Sequence, residues 1–425
     1  MLRRHVMNEV ALQRYDAVVF GDGAVRGGVV KNDKNSVAAI TLRRSGAGAA
    51  RSFLLMACLG LAGCQASGLG DGLEAAKTSV APVSSSTYGS GPVTIAMLLP
   101  TDAGLRIKAA DIADGAKLAL DDLGAGQLKI DFQAFSSSSA EAVSKVQAAS
   151  TAGTKLIIGP ATNAEVTRII TSTSQPRPPI LALVPNNSAG GSNIWPLYGD
   201  AIDSALEGVG VAVAANQKNV VVVHEAGFAA ENLLRLREGI RLKGGNTVGF
   251  VPYSPSGKDL SAAFASGAAV FAKANTIVLL GGGEAIGQVI DILAAGEFGK
   301  SIATAIATSL IPEEIYKRPS AQGLMVAIPS TADVSVIADR FNAKYGRAPS
   351  YDAAIGYDSI AIAAGLVRSG GADAITVQNL TSTQGFRAAT GLFRFRLDGR
   401  IERRMVVHRI ENGALTVIQE EGEGF

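Results

Sequence analysis

The sequence predicts an α/β protein made of two Rossmann-like lobes, each built on a central parallel sheet. Three observations predict it. Short, near-continuous apolar runs such as Val93–Pro100 and Val220–Val223 read as strands buried on both sheet faces. Amphipathic segments of about ten to fifteen residues separate these runs, the pattern of βαβ units. The scheme then restarts after about residue 215, and two such halves make two lobes. Composition agrees: 425 residues, 47% hydrophobic, 18% charged, 5% aromatic and 49 Gly, a core-rich chain and not a disordered one. The absence of an apolar run of about 18 residues excludes a polytopic membrane protein. A formal charge of +2 is too small for a nucleic-acid footprint. With 3 His and 2 Cys, a zinc-cluster protein and a disulfide-stapled scaffold are excluded as well.

Residues 1–41 fit no export signal and read as a misassigned start or a long leader. Within them Asp16–Gly23 looks like a strand entering a Gly-rich turn, without the helix and second strand that a nucleotide site requires. Residues 42–63 read as a signal peptide. Arg43, Arg44 and Arg51 form a basic start without acids, and Phe53–Gly63 is a short apolar run. The ending Leu61-Ala62-Gly63-Cys64 resembles a bacterial lipobox, which implies cleavage before Cys64 and acylation of its thiol, palmitate included. Both cysteines fall in this signal, and removing it leaves a net charge of about −3, so the basic bias belongs to targeting. Residues 64–92 are rich in Ser, Gly and Ala and read as a flexible tether.

From Val93 the predicted order is strand Val93–Pro100, a helix spanning Ile107 to Leu120, strand Leu128–Phe135, helix Ala140–Ala152 and strand Lys155–Ile158. The Gly159–Asn163 turn leads into helix Ala164–Ser172, and Pro179–Val184 is another buried strand. The second half reads as strand Val220–His224, helix Ala230–Leu242, strand Thr247–Tyr253, helix Leu260–Ala272, strand Thr276–Leu280 and helix Ala285–Ala295. Leu324–Pro329, helices around Val334–Tyr345 and Tyr351–Ser369, and closing strands Phe393–Leu397 and Met405–His408 complete the chain. Asp398-Gly399 is the hairpin signal between those last two strands.

This order resembles that of type I periplasmic binding proteins, in the leucine/isoleucine/valine-binding branch. The match is sharpest in the carboxyl-terminal third: Phe341, Tyr345, Pro349 and Tyr351, then Gly356-Tyr357-Asp358, then Gly391, Phe393, Phe395 and Asp398-Gly399. The Pro252–Asp259 turn and the Gly159-Pro160 loop match more weakly. The resemblance runs from about Val93 to the end and implies three crossovers between the lobes, near 198–214, 329–334 and 383–392. Lobe 1 is then 93–205 with 332–385, and lobe 2 is 206–331 with 386–425. It also implies residence in the periplasm of a Gram-negative bacterium, with a lipid anchor in the inner or outer membrane.

In open α/β sheets, ligands bind where the strands' carboxyl ends meet a crevice. Thr162 and Asn163 open a helix there, where backbone N–H groups and the helix dipole favour an anion, although both residues also suit plain capping. The resemblance makes this loop the carboxylate site of an amino acid. Asn186 and Asn187 end the next strand, with turn chemistry an equal explanation. From lobe 2, Glu225 or Glu284 can neutralise an ammonium, and Phe228 stands where the family commonly has a tyrosine over the ligand. Pro185-Asn186-Asn187 likewise replaces the family's Ala/Thr pair. These departures leave two roles open. One is capture of an amino acid or similar small polar solute for an ABC permease. The other, implied by a second branch of the same fold, is activation of a penicillin-binding protein by contact in peptidoglycan synthesis. No cofactor and no metal is expected. His224 alone lies near the crevice, and neither a GxSxG elbow nor an HExxH helix occurs, so catalysis is not expected.

Overall fold

The computed structural model describes residues 80–425 except 174–175, 187–192, 284 and 297–301. The leader, the signal peptide with Cys64 and most of the tether lie outside the described residues.

Lobe 1 opens with strands β1 (Ser86–Gly89) and β2 (Val93–Pro100), helix α1 (Arg106–Ala119), β3 (Leu128–Phe135), α2 (Ser139–Thr151), β4 (Leu156–Ile158), α3 (Asn163–Ser172), β5 (Ile180–Pro185) and β6 (Ile194–Tyr198). Its sheet has the order β1-β3-β2-β4-β5-β6, parallel from β3 to β6. The apolar runs read as strands are its inner members, with Ile95 to Leu99 and Ile180 to Val184 all buried. β1 corrects the expected tether: Ser86–Gly89 pairs antiparallel with β3 and covers its edge. An uncovered edge invites pairing with other chains.

The chain then builds lobe 2: α4 (Ala201–Ala214), β7 (Asn219–Glu225), α5 (Ala230–Leu242), β8 (Asn246–Tyr253), α6 (Leu260–Phe271), β9 (Thr276–Leu280), α7 (Ala285–Ala294), β10 (Thr304–Ala307) and β11 (Met325–Ile328). It returns to lobe 1 for α8 (Thr331–Tyr345), α9 (Tyr351–Gly370), α10 (Val377–Leu380), β12 (Phe386–Ala388), β13 (Gly391–Phe395) and β14 (Ile401–Arg403). Lobe 2 receives the last pair, β15 (Val406–Glu411) and β16 (Ala414–Gln419). The lobe 2 sheet runs β16-β15-β11-β10-β9-β7-β8, with β15 and β16 antiparallel.

Packing draws the lobes differently from the expected boundaries. Ile202 and Ala205 of α4 are buried in the lobe 2 core with Val220, Val222 and Met325, so lobe 1 gives way at 199–200. Phe386, Phe393, Phe395 and Ile401 are buried in the lobe 1 core with Trp195 and Tyr357. The third passage therefore falls at 404–405, beyond the expected 383–392. Asp398-Gly399 does close a hairpin, but between β13 and β14. The strand at 406–411 leaves for the other lobe and pairs with β11 and β16.

The carboxyl-terminal motif holds lobe 1 together. A Cβ on Gly356 would stand 2.1 Å from the carbonyl oxygen of Ile112, and one on Gly115 would stand 1.8 Å from that of Ala353. The two glycines thus let the α1 and α9 backbones touch. Asp358 is buried and accepts from the N–H groups of Ala389 (2.8 Å) and Thr390 (2.9 Å) and from the Thr390 hydroxyl (2.5 Å). It fixes the turn before β13. Arg403, also buried, donates to the Thr390 hydroxyl and to the carbonyl of Leu197, binding that turn to β6.

Candidate functional site

The carboxyl ends of the parallel strands supply the two rims of the site. In lobe 1, Gly159 has φ +98° and a Cβ there would lie 2.4 Å from the Leu98 carbonyl oxygen, so only glycine fits beside β2. The following loop ends in a capping box. The Thr162 hydroxyl accepts the Glu165 N–H at 3.3 Å, and the Glu165 carboxylate accepts the Thr162 N–H at 3.0 Å. Burial raises the Glu165 pKa, opposed by the Thr162 hydrogen bonds. An acid thus already stands in the positive first turn of α3. Asn163, the first residue of that helix, is exposed.

Asn186 is buried and spent inside the protein. Its amide donates to both Asp203 carboxylate oxygens and to the Ile401 carbonyl, and its own side-chain oxygen accepts the Ile401 N–H. Asn187 and Glu284 lie outside the described residues. In lobe 2, Glu225 is half-buried and its Oε1 accepts the N–H groups of Gly282 and Gly283, each at 3.4 Å. Tyr253 stands beside it, its pKa raised by burial and then by the Glu225 charge. Phe228 packs against the lobe 2 core at the end of the same loop.

Where the crossovers meet, a cavity of about 500 Å³ opens. Tyr198 and Gly199 line it from the first crossover, Ile328, Pro329 and Ser330 from the second, and Met405 from the third. Ser309, Val334, Pro349 and Tyr351 complete the wall. Its size suits a small ligand, and hydroxyls punctuate an apolar surface. The Tyr198 hydroxyl donates to Asp352 in a short hydrogen bond, and burial followed by the Asp352 charge raises its pKa. Lys108 Nζ lies 4.1 Å from the Tyr198 ring centroid and 3.4 Å from the Leu183 carbonyl oxygen. Burial lowers the Lys108 pKa, countered by Asp352. A positive and a negative side chain, neither of them in the cavity lining, therefore flank one tyrosine of its wall.

None of the expected site residues that are among the described residues lines this cavity. Thr162 and Asn163 stand on the lobe 1 rim and Glu225 and Phe228 on the lobe 2 rim, while Asn186 sits in the hinge. Lys108, Tyr198 and Asp352 were not singled out: Lys108 and Asp352 lie on helices read for amphipathic pattern and motif, and the strand Ile194–Tyr198 was not predicted, Tyr198 being placed at the start of the first crossover. Tyr351 was noticed as a motif residue but not as a wall. Among the described residues no group of three or more His, Cys, Asp or Glu is placed to hold a metal. No helix among them is long and apolar enough to cross a membrane.

Two doubly wound lobes, passed between three times and with a cavity at the passages, define the type I solute-binding class. The chain belongs to the periplasmic binding protein family, whose model matches residues 92–414. Solved structures agree in fold. A proposed branched-chain amino acid ABC transporter protein from Rhodospirillum rubrum is 15% identical with a TM-score of 0.64, covering 77% of this chain and 99% of its own. A branched-chain amino acid transporter protein of ABC type from Rhodopseudomonas palustris is 12% identical (TM-score 0.58; 77% and 96% covered). An ABC transporter substrate-binding protein from Sphaerobacter thermophilus is 17% identical (TM-score 0.57; 77% and 96% covered). No curated protein sequence matches significantly.

Proposed function

We propose that this chain captures an amino acid or a similar small polar solute between its lobes and delivers it to an ABC-type permease, without catalysis. The observation that carries the reading is the cavity at the meeting of three crossovers, one wall of which, Tyr198, is held by Lys108 and Asp352. Apolar walls suit a side chain, and Ser309, Ser330 and Tyr351 put hydroxyl-bearing residues in the same lining. Hinge closure brings the rims over the solute, with Thr162 and Asn163 from lobe 1 and Glu225 and Phe228 from lobe 2. The branched-chain amino acid transport named for two of the similar structures supports this reading over contact with a penicillin-binding protein. The lipobox supports a periplasmic location on an acyl anchor at Cys64.

Calorimetry of the chain against the twenty amino acids tests the ligand class. Heat with a subset is expected, with affinity at least about tenfold weaker in Tyr198→Ala, which loses one wall and the Lys108 contact. No heat with any of them rejects the amino-acid reading. Labelling with radioactive palmitate tests the anchor: incorporation lost in Cys64→Ala supports it, and incorporation unchanged in that variant rejects it.

A further inference from the structure

We propose that residues 420–425 are a strap between the lobes: they leave β16 in lobe 2, lock into a seat on lobe 1 and limit how far the lobes part. The proposal goes beyond solute capture and is read in solute-free protein, so its failure and that of the ligand reading are separate results.

The strap is short and has no slack. Gln419 closes β16 by pairing with Val407 of β15, in the lobe 2 sheet. Two residues on, the Glu421 carboxylate accepts the Leu392 N–H at 2.6 Å and pairs with Arg387 at 3.1 Å. Arg387 and Leu392 belong to β12 and β13, whose Phe386 and Phe393 are buried in the lobe 1 core. Cα atoms two residues apart stand at most about 7 Å from each other. A single residue, Glu420, therefore spans from one lobe to the other. Movement of β16 away from β13 must pull Glu421 out of its seat or unpair Gln419.

The seat is shaped for this segment. The Glu421 side chain is 7% exposed, and acids are seldom so covered unless paired. A Cβ on Gly391 would stand 2.4 Å from Glu421 Oε1, and one on Gly385 would stand 2.8 Å from Phe425 Cε2. A larger residue in either turn would strike the strap. The Phe425 ring centroid lies 4.4 Å from the Arg394 guanidinium carbon and 5.3 Å from that of Arg404. Arg404 also donates to the Gly424 carbonyl oxygen at 2.9 Å. Arg404 stands at the third passage, and its own N–H donates to the Leu392 carbonyl oxygen at 2.9 Å. Leu392 thus carries both connections: its C=O holds the third passage and its N–H holds the strap. A carboxylate on a backbone N–H is among the stronger single ties a segment can make, and the two cation–π contacts of Phe425 add to it.

Spin labels at Ala103→Cys on the lobe 1 rim and Ser256→Cys on the lobe 2 rim, both exposed positions, report how far the lobes part in the full solute-free chain. Cys58→Ser and Cys64→Ser leave only the two rim sites to label. Double electron–electron resonance is expected to give a narrow distance distribution with the strap intact. Glu421→Ala should broaden it towards longer distances and raise the more open fraction by about tenfold. Phe425→Ala, which keeps the carboxylate, should do the same to a smaller extent. An unchanged distribution in both variants, whatever their melting temperatures, overturns the proposal, because the contact would then be local and restrain nothing. Hydrogen exchange of the wild-type chain decides independently of how the variants fold. The Leu392 and Arg404 amides should show equal protection, since one movement of lobe 2 exposes both. A Leu392 amide exchanging near the unprotected rate while Arg404 stays protected overturns the proposal.

Discussion

Asp358→Asn separates what the buried carboxyl of the Gly-Tyr-Asp motif does as a shape from what it does as a charge. The native group accepts three donors from Ala389 and Thr390 and faces Arg403. The amide keeps the volume but turns an NH₂ towards a donor, which costs about 1–3 kcal/mol at every pH. The charge effect has its own signature. Burial moves Asp358 from 3.8 up to about 6, although Thr390, Arg403 and the backbone amides pull it down. A carboxyl raised in the folded state stabilises the fold fully below the unfolded value and loses that contribution as pH climbs through 6. The complete effect is about 3 kcal/mol, of which about half is recovered between pH 8 and pH 5. Urea unfolding of both chains at those two pH values measures it. The wild type should gain about 1 kcal/mol more than Asp358→Asn on acidification. Equal gains would refute the idea that this carboxyl is held ionised at a cost in the neutral-pH fold.

Gly356→Ala should lower the melting temperature sharply, by about 1–3 kcal/mol or more of stability, because the new methyl meets backbone at Ile112 and cannot rotate aside. Gly104→Ala, with no atom within 4 Å of its Cβ position, should leave melting within about 0.5 kcal/mol of wild type; an equal loss in both variants would contradict the close-approach account. Deleting residues 80–89 uncovers the edge of β3 and should raise aggregation in light scattering, while an unchanged monomer would show that β1 protects nothing. Gly413→Ala forces a side chain onto φ +79° in the β15–β16 turn and should cost about 1 kcal/mol in urea unfolding; no measurable loss would refute that strain argument.

The fold was legible because buried parallel strands announce themselves as apolar runs. Val93–Pro100, Val220–His224 and Thr276–Leu280 all carry that signal, and all are inner strands. Edge and short strands were missed for the complementary reason. Ser86–Gly89 is mostly exposed and polar, so composition alone read it as tether. Thr304–Ala307 has only four residues, too few for a period to show. Ala414–Gln419 was missed although Asn412-Gly413 before it is a strong hairpin signal, with both residues at positive φ. Lobe boundaries were misplaced because helix α4 follows a lobe 1 strand in sequence yet buries Ile202 and Ala205 against lobe 2, and periodicity says which face is buried but not against what. The site was the least legible part. Thr162 signals a helix start whether it caps or binds, and here it caps. Lys108, Tyr198 and Asp352 are far apart in sequence and share no motif, so only folding brings them together.

Native mass spectrometry of the chain purified gently from the cells that make it tests solute capture most directly. The account predicts a single small molecule carried at one per chain, lost from Tyr198→Ala and from Met405→Trp, whose indole would fill the cavity lined by both residues. A chain that carries nothing, and takes up nothing from a concentrated extract of those same cells, would contradict it.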